Sequence, residues 1–194
     1  MITIASTRFN KQTWDENCSY REKRKLPGCI YCSPLPLSSR ISPNSLLFVI
    51  EMNNSRNKIE GIGLIHNYLQ IDKYYVYDNG NYNRYIYKSN YRIDRTILKH
   101  YNTPLVNILD HILFKEKTHL KRGSGITTVP DKLLRHSVCS DTNIKDELIT
   151  IFKNHFRLKS DTNLDAFPDA NLDTKPAEKK ELKKEHYPAL NIPP

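Results

Sequence analysis

What the chain has little of narrows its reading first. Cysteine occurs four times in 194 residues, far below the density of a disulfide-stapled secreted scaffold and in keeping with a reducing compartment. No apolar run nears the roughly 18 residues of a membrane-spanning helix, and the start MITIASTRFNKQ has no apolar signal region. An intracellular protein with no membrane role, cytoplasmic or nuclear, is therefore expected. Acidic residues are in deficit: 21 Asp and Glu stand against 30 Lys and Arg, a net charge of +9. From Arg157 onward basic and acidic residues balance at seven each, so the excess belongs to the preceding part. Such a surface attracts polyanions, of which nucleic acid is the commonest, with general solubility as the plainer account.

Recognisable catalytic sets are also missing. Asp110 and His111 are neighbours on a predicted helix and so point apart, while His66 and His119 stand alone. The HxE and PCxxC pattern of zinc deaminases is absent, although Pro27-Gly28-Cys29 comes near it, and no GxxxxGK[ST] loop occurs. The reading leans away from an enzyme.

What is present predicts one α+β domain followed by a tail. Residues 1–44 carry little periodic apolar signal and are expected to be irregular, packed on the domain. The domain proper is expected over residues 45–156. Ser45 to Met52 reads SLLFVIEM, a β-prone run, and Lys58 to Ile65 returns as KIEGIGLI, giving a hairpin with a loop of about five residues. KYYVY and NRYIYK, around Asn79-Gly80, predict a second hairpin with a type I′ turn. The period then changes. In TPLVNILDHILF, Thr103 can cap, Pro104 suits a first helical turn, and Leu105, Ile108, Leu109, Ile112 and Leu113 recur at helical spacing. A short helix from Pro130 and another over about 143–155 complete a small antiparallel, barrel-like sheet with two or three packed helices. Residues 157–194 are polar and charge-rich, and disorder is expected there.

Four constellations carry functional expectations. Seven of the twelve tyrosines lie between Tyr74 and Tyr91. Strand alternation about the predicted turn puts Tyr75, Tyr77, Tyr82 and Arg84 on one face, with Lys88 close by, while Tyr74, Tyr85 and Tyr87 point inward. Aromatic rings stack on bases and cations meet phosphates, so this face suits single-stranded nucleic acid; a tyrosine-rich core hairpin is the plainer alternative. In HLKRGSGITT, Lys121 and Arg122 precede Gly123-Ser124-Gly125, where exposed amides beside two cations can hold a phosphate. Cys29 and Cys32, with His136 and Cys139, offer two half-sites spaced for one tetrahedral zinc ion. Finally, Gly61 and Gly63 project from one side of a strand, which suggests a groove or a crossing backbone.

The string LFVIEMNNSRNKIEGIGLI resembles the hairpin of PUA-like domains, the β-barrel superfamily that includes the ASCH, EVE and YTH groups. The likeness spans about twenty residues. It implies a mixed β-barrel that binds RNA or DNA, in some members around a modified base, with Gly61 and Gly63 lining the pocket. The tryptophan cage of YTH domains is not matched, since Trp14 is the sole tryptophan and lies outside the hairpin. The abundance of Ile, Asn, Lys and Tyr resembles proteins of large AT-rich DNA viruses. The expected function is thus binding of RNA or another single-stranded nucleic acid. The alternative is a structural or virion-associated protein of such a virus, meeting an acidic protein partner without catalysis.

Overall fold

The computed structural model describes residues 2–115, 119–140 and 142–157. The tail expected to be disordered lies, beyond Arg157, outside the described residues.

The chain folds as an α+β domain around an open five-stranded sheet. Its strands are β1 (Thr3–Phe9), β3 (Leu46–Asn53), β4 (Lys58–His66), β6 (Tyr91–Asp94) and β7 (Thr127–Thr128), in the spatial order β6-β4-β3-β1-β7. The β3–β4 hairpin forms as expected, the continuous apolar run of β3 being buried on both faces, with Asn53 paired to Lys58. A second, two-stranded sheet pairs β2 (Cys29–Ser33) with β5 (Tyr85–Ser89), Tyr31 opposite Tyr87. Sheet and helices are both present as the composition suggests, but the sheet does not close into a barrel.

The largest correction concerns residues 1–44. They are structural: β1 lies in the sheet, parallel to β3 from Thr3 opposite Leu47 to Phe9 opposite Asn53. A parallel pair requires a crossover of a dozen or more residues, and α1 (Lys11–Lys23) and β2 supply it. Helix α1 escapes an apolar-periodicity search because the only fully buried side chain it carries is the polar Asn17. Local bonds start it, and Asn17, whose Nδ2 donates to the Ile30 carbonyl at 2.8 Å, ties it to the fold. Asn10 and Thr13 form a reciprocal capping box, and Lys11 and Asp15 pair at i,i+4.

Two apolar cores flank the sheet. One face buries Phe48, Ile50, Ile62 and Leu64 against α2 (Arg95–Phe114), the short α3 (Asp131–Leu134) and α4 (Ile144–His155). The periodic leucines and isoleucines of TPLVNILDHILF form that contact. Helix α2 starts earlier than its apolar pattern, at Arg95, and is kinked where Asn102 leaves helical geometry (φ −154°, ψ 89°). Asn102 Oδ1 then accepts from the Leu105 amide at 2.9 Å, so Asn102 rather than Thr103 caps the second part. The opposite sheet face buries Ala5, Leu47, Val49 and Ile65 against the β2–β5 pair, with Trp14 and Tyr20 of α1 packed at its margin.

The tyrosine hairpin does not form. Neither Asn79 nor Gly80 adopts the positive φ that a type I′ turn demands. Instead Asn79 caps a 3-10 turn over Gly80–Asn83, accepting from the Asn81 amide at 3.1 Å. Asn83 takes up the backbone that the missing ladder would have used: its Oδ1 accepts from the amides of Val76 and Tyr77, each at 3.0 Å, and its Nδ2 donates to the Tyr77 carbonyl. One asparagine side chain thus replaces a strand pairing.

Candidate functional site

The buried polar groups and the surface cavity separate two questions that the sequence joins. At the centre, Arg92 of β6 reaches Glu51 of β3 across the intervening strand β4. Its Nε donates to Glu51 Oε1 at 2.8 Å and its Nη2 to Oε2 at 2.7 Å. Strands two apart are separated by roughly 10 Å, and the side chains can meet only because β4 presents no side chain between them. Gly61 and Gly63 leave that space. A Cβ on Gly61 would lie 2.8 Å from Arg92 Nη2 and 2.9 Å from Glu51 Oε2. One on Gly63 would collide with Tyr31 Oη and come within 2.6 Å of Cys29 Sγ. The two glycines therefore do not line a pocket; their expected groove is filled by Glu51, Arg92, Tyr31 and Cys29. Tyr31 Oη completes the arrangement by donating to Glu51 Oε1 at 2.8 Å.

Burial governs the ionisation of this interior. Arg92 is held well above the usual guanidinium range, because the attraction and hydrogen bonds of Glu51 outweigh the opposing effect of burial. Burial, then Cys29 and Glu51, push the Tyr31 hydroxyl up. Burial and then Glu51 raise Cys29 to about 12, and burial alone raises Cys32 to about 12. Both thiols are thus protonated and unreactive at neutral pH.

The proposed zinc half-sites are not brought together. Cys29 and Cys32 belong to the core against β2–β5, whereas Cys139 belongs to the helical core on the other sheet face. His136 caps a short 3-10 turn, accepting from the Val138 amide. Among the described residues no three His, Cys, Asp or Glu side chains converge as metal ligands. Asp110, set beside His111, is a structural acceptor: it takes two hydrogen bonds from Arg95, at 3.0 and 2.7 Å, and one from the Ile59 amide at 2.8 Å.

Four of the other predicted residues, Tyr77, Tyr82, Gly123 and Gly125, do meet. A cavity of about 180 Å³ is lined by Tyr77 and Tyr82 together with Gly123, Ser124 and Gly125. The end of β1 and the start of α1 contribute Arg8, Asn10 and Thr13 to the lining, with Cys32 and Asn54. Tyr77 is buried, contrary to its expected outward position. Asn17 Nδ2 donates to its hydroxyl at 3.2 Å, and its ring meets Tyr82 edge-on at 6.0 Å between centroids. Tyr82 is 37% exposed and also lines the cavity. Tyr75 and Arg84 are exposed outside the cavity, and the Lys88 ammonium lies 5.8 Å from the Tyr74 ring. Tyr87 points inward as expected, its hydroxyl accepting from the Leu37 amide at 2.9 Å.

The loop 121–126 brings Gly123, Ser124 and Gly125 to this cavity along a path that its glycines allow. Gly123 (φ +110°) and Gly125 (φ +74°) occupy the region that other residues rarely adopt, and a Cβ on Gly125 would strike Ser33 Oγ. Arg122 is exposed; Lys121 is half-buried, and its carbonyl accepts from Asn54 Nδ2 at 2.9 Å.

Arg8 is the residue that sequence reasoning misses. Its Nε donates to the Leu120 carbonyl and its Nη2 to Thr127 Oγ1 at 2.9 Å, so the guanidinium braces both ends of the glycine loop. No carboxylate pairs with it among the described residues, and burial draws it below the usual guanidinium range. Comparison with protein-family models, with curated proteins and with solved structures finds no match to this chain.

Proposed function

We propose that the protein binds single-stranded nucleic acid, RNA in particular, at the cavity between Tyr82 and the loop 121–125. One observation carries the reading: two signals about forty residues apart in sequence, the tyrosine-rich segment and the basic glycine loop, border one cavity. Stacking on an aromatic ring and contact between cations and phosphate are the two components of sequence-tolerant single-strand binding. The cavity is smaller than the roughly 300–1,000 Å³ of sites that enclose a whole ligand. It suits one unit of a longer chain, with the remainder lying on the basic exterior. Exposed Tyr75, Arg84 and Arg122 are available for that outer path, and no bond is made or broken.

The test is binding of a short labelled single-stranded RNA, measured as a function of salt. Replacing both Lys121 and Arg122 by Ala should weaken binding and lower the slope of log K against log salt by about 1.4, or about 0.7 for each phosphate that is no longer neutralised. An unchanged slope removes these two cations from the site. Tyr82→Ala should weaken binding by about tenfold with little change in slope, since stacking of a base contributes about 1–3 kcal/mol and is uncharged.

A further inference from the structure

We propose that the cavity is a subsite for a phosphomonoester, the terminal phosphate of a strand, with Arg8 as its counter-ion. This rests on the nucleic-acid reading and assigns to it a residue and a ligand group. Arg8 is a cation in a largely buried position without a carboxylate among the described residues, and its Nη1, beneath Gly123, has no acceptor. Buried charges in proteins are ordinarily paired, and an anion that enters from outside meets the same need. A second orphan belongs to another residue that lines the cavity. Asn54 Nδ2 is committed to the Lys121 carbonyl, which fixes the amide orientation and leaves buried Oδ1 without a donor. A donor-seeking oxygen and an acceptor-seeking guanidinium on two residues of one cavity lining match, with a small shift of these side chains toward the opening, a ligand that carries both a phosphate and a hydroxyl, as a ribonucleotide does.

The start of α1 is not the anion site. Asn10 Oδ1 already accepts from the Thr13 amide at 2.8 Å, and Ser55 Oγ from the Lys11 amide at 3.0 Å. The charge that remains for a ligand is therefore that of Arg8, supplemented by Lys121 and Arg122 outside. A phosphomonoester brings a charge of about −1.5 to −2 and three acceptor oxygens, against one charge and two free oxygens in an internal diester. In a small, partly desolvated space the monoester compensates Arg8 better. No room for a chain continuing on both sides of the phosphate is then required.

The experiment compares one single-stranded RNA with a 5′-phosphate, a 3′-phosphate or hydroxyls at both ends, by fluorescence anisotropy on wild type and Arg8→Gln. One phosphorylated end should bind about tenfold tighter than the hydroxyl-ended strand. Arg8→Gln should abolish that advantage, the phosphorylated and hydroxyl-ended strands then binding alike, with circular dichroism and urea titration showing that the variant is folded. Should Arg8→Gln fail to fold, competition on wild type decides: a nucleoside monophosphate erases the advantage of the phosphorylated strand, and the nucleoside does not. Equal binding of all three strands, or an advantage that survives Arg8→Gln, overturns the subsite and leaves the nucleic-acid reading standing. If no strand binds but the nucleoside monophosphate does, by calorimetry, the subsite holds for a free nucleotide and the strand reading falls. If neither binds, both fall.

Discussion

Replacing Glu51 by Leu tests whether β4 carries Gly61 and Gly63 to house an ion pair. The side chains of Arg92 and Glu51 are 4% and 1% exposed, so removal of Glu51 strands a cation where water cannot reach it. Breaking a buried pair from one side costs about 3–5 kcal/mol, and the orphaned Tyr31 hydroxyl adds about 1–3 kcal/mol. Asp94 moderates this, since it also contacts Arg92; its own side chain is 61% exposed, so it supplies only a solvent-screened charge. A net loss of about 4 kcal/mol is expected for Glu51→Leu, a large share of the 5–15 kcal/mol typical of a domain. The double variant Glu51→Leu with Arg92→Met should recover most of it, because apolar groups of similar volume replace buried pairs at little cost. Urea titration followed by the fluorescence of Trp14, packed edge-on against Phe9 at 5.2 Å, measures both. The reasoning fails if the single variant loses less than about 1 kcal/mol, or if the double variant is no more stable than the single.

Two further outcomes concern titration and capping. Cys29 and Cys32 are raised to about 12 by burial, with Glu51 a further cause for Cys29. The folded state therefore keeps protons that the unfolded chain releases above about pH 8.5. Their contribution is complete below that pH and is lost as pH climbs toward 12, at about 1.4 kcal/mol per pH unit for each thiol. Urea midpoints between pH 8 and 11 should fall accordingly, and Cys32→Ala should flatten the decline; an unchanged slope refutes the assignment. At the kink of α2, Asn102→Ala removes the cap on the Leu105 amide and a 3.0 Å bond to Glu147, so a loss of about 0.5–2 kcal/mol should appear in the same titration.

Those parts of the fold that bury a periodic apolar face can be read from the chain. The second part of α2, α3 and α4 show the spacing that their packing uses, and the β3–β4 hairpin shows a continuous apolar run that both sheet faces bury. The first 33 residues hide theirs. Strand β1 is built from Thr, Ala and Ser as much as from Ile and Phe, and its partner β3 is reached only across a long connection. The tyrosine segment misleads for a different reason. Asn-Gly between β-prone runs is a strong hairpin signal, but it competes here with the side chain of Asn83, which binds the 76–77 backbone. Local hydrogen bonds from Asn offer the backbone an alternative to a ladder, and period alone does not reveal which will prevail.

The glycines show how the same residue can point to opposite conclusions. Gly61 and Gly63 suggest open space, yet that space holds side chains from three other strands; Gly123 and Gly125, by contrast, bend a loop whose concave side remains a cavity. The distinction lies in backbone conformation and topology. Of the glycines only Gly123 and Gly125 have positive φ, which turns the chain where it lines the cavity. Arg8 acquires its meaning in the same way. In sequence it is one of 30 cations, and only the parallel placement of β1 beside β3, with β7 paired on its other side, sets it under the loop and away from carboxylates among the described residues. The site therefore depends on the crossover through α1 and β2: shifting β1 by one residue against β3 would turn Arg8 to the other face of the sheet. The cavity would then keep its tyrosines and its glycines but lose the charge that makes it selective for phosphate.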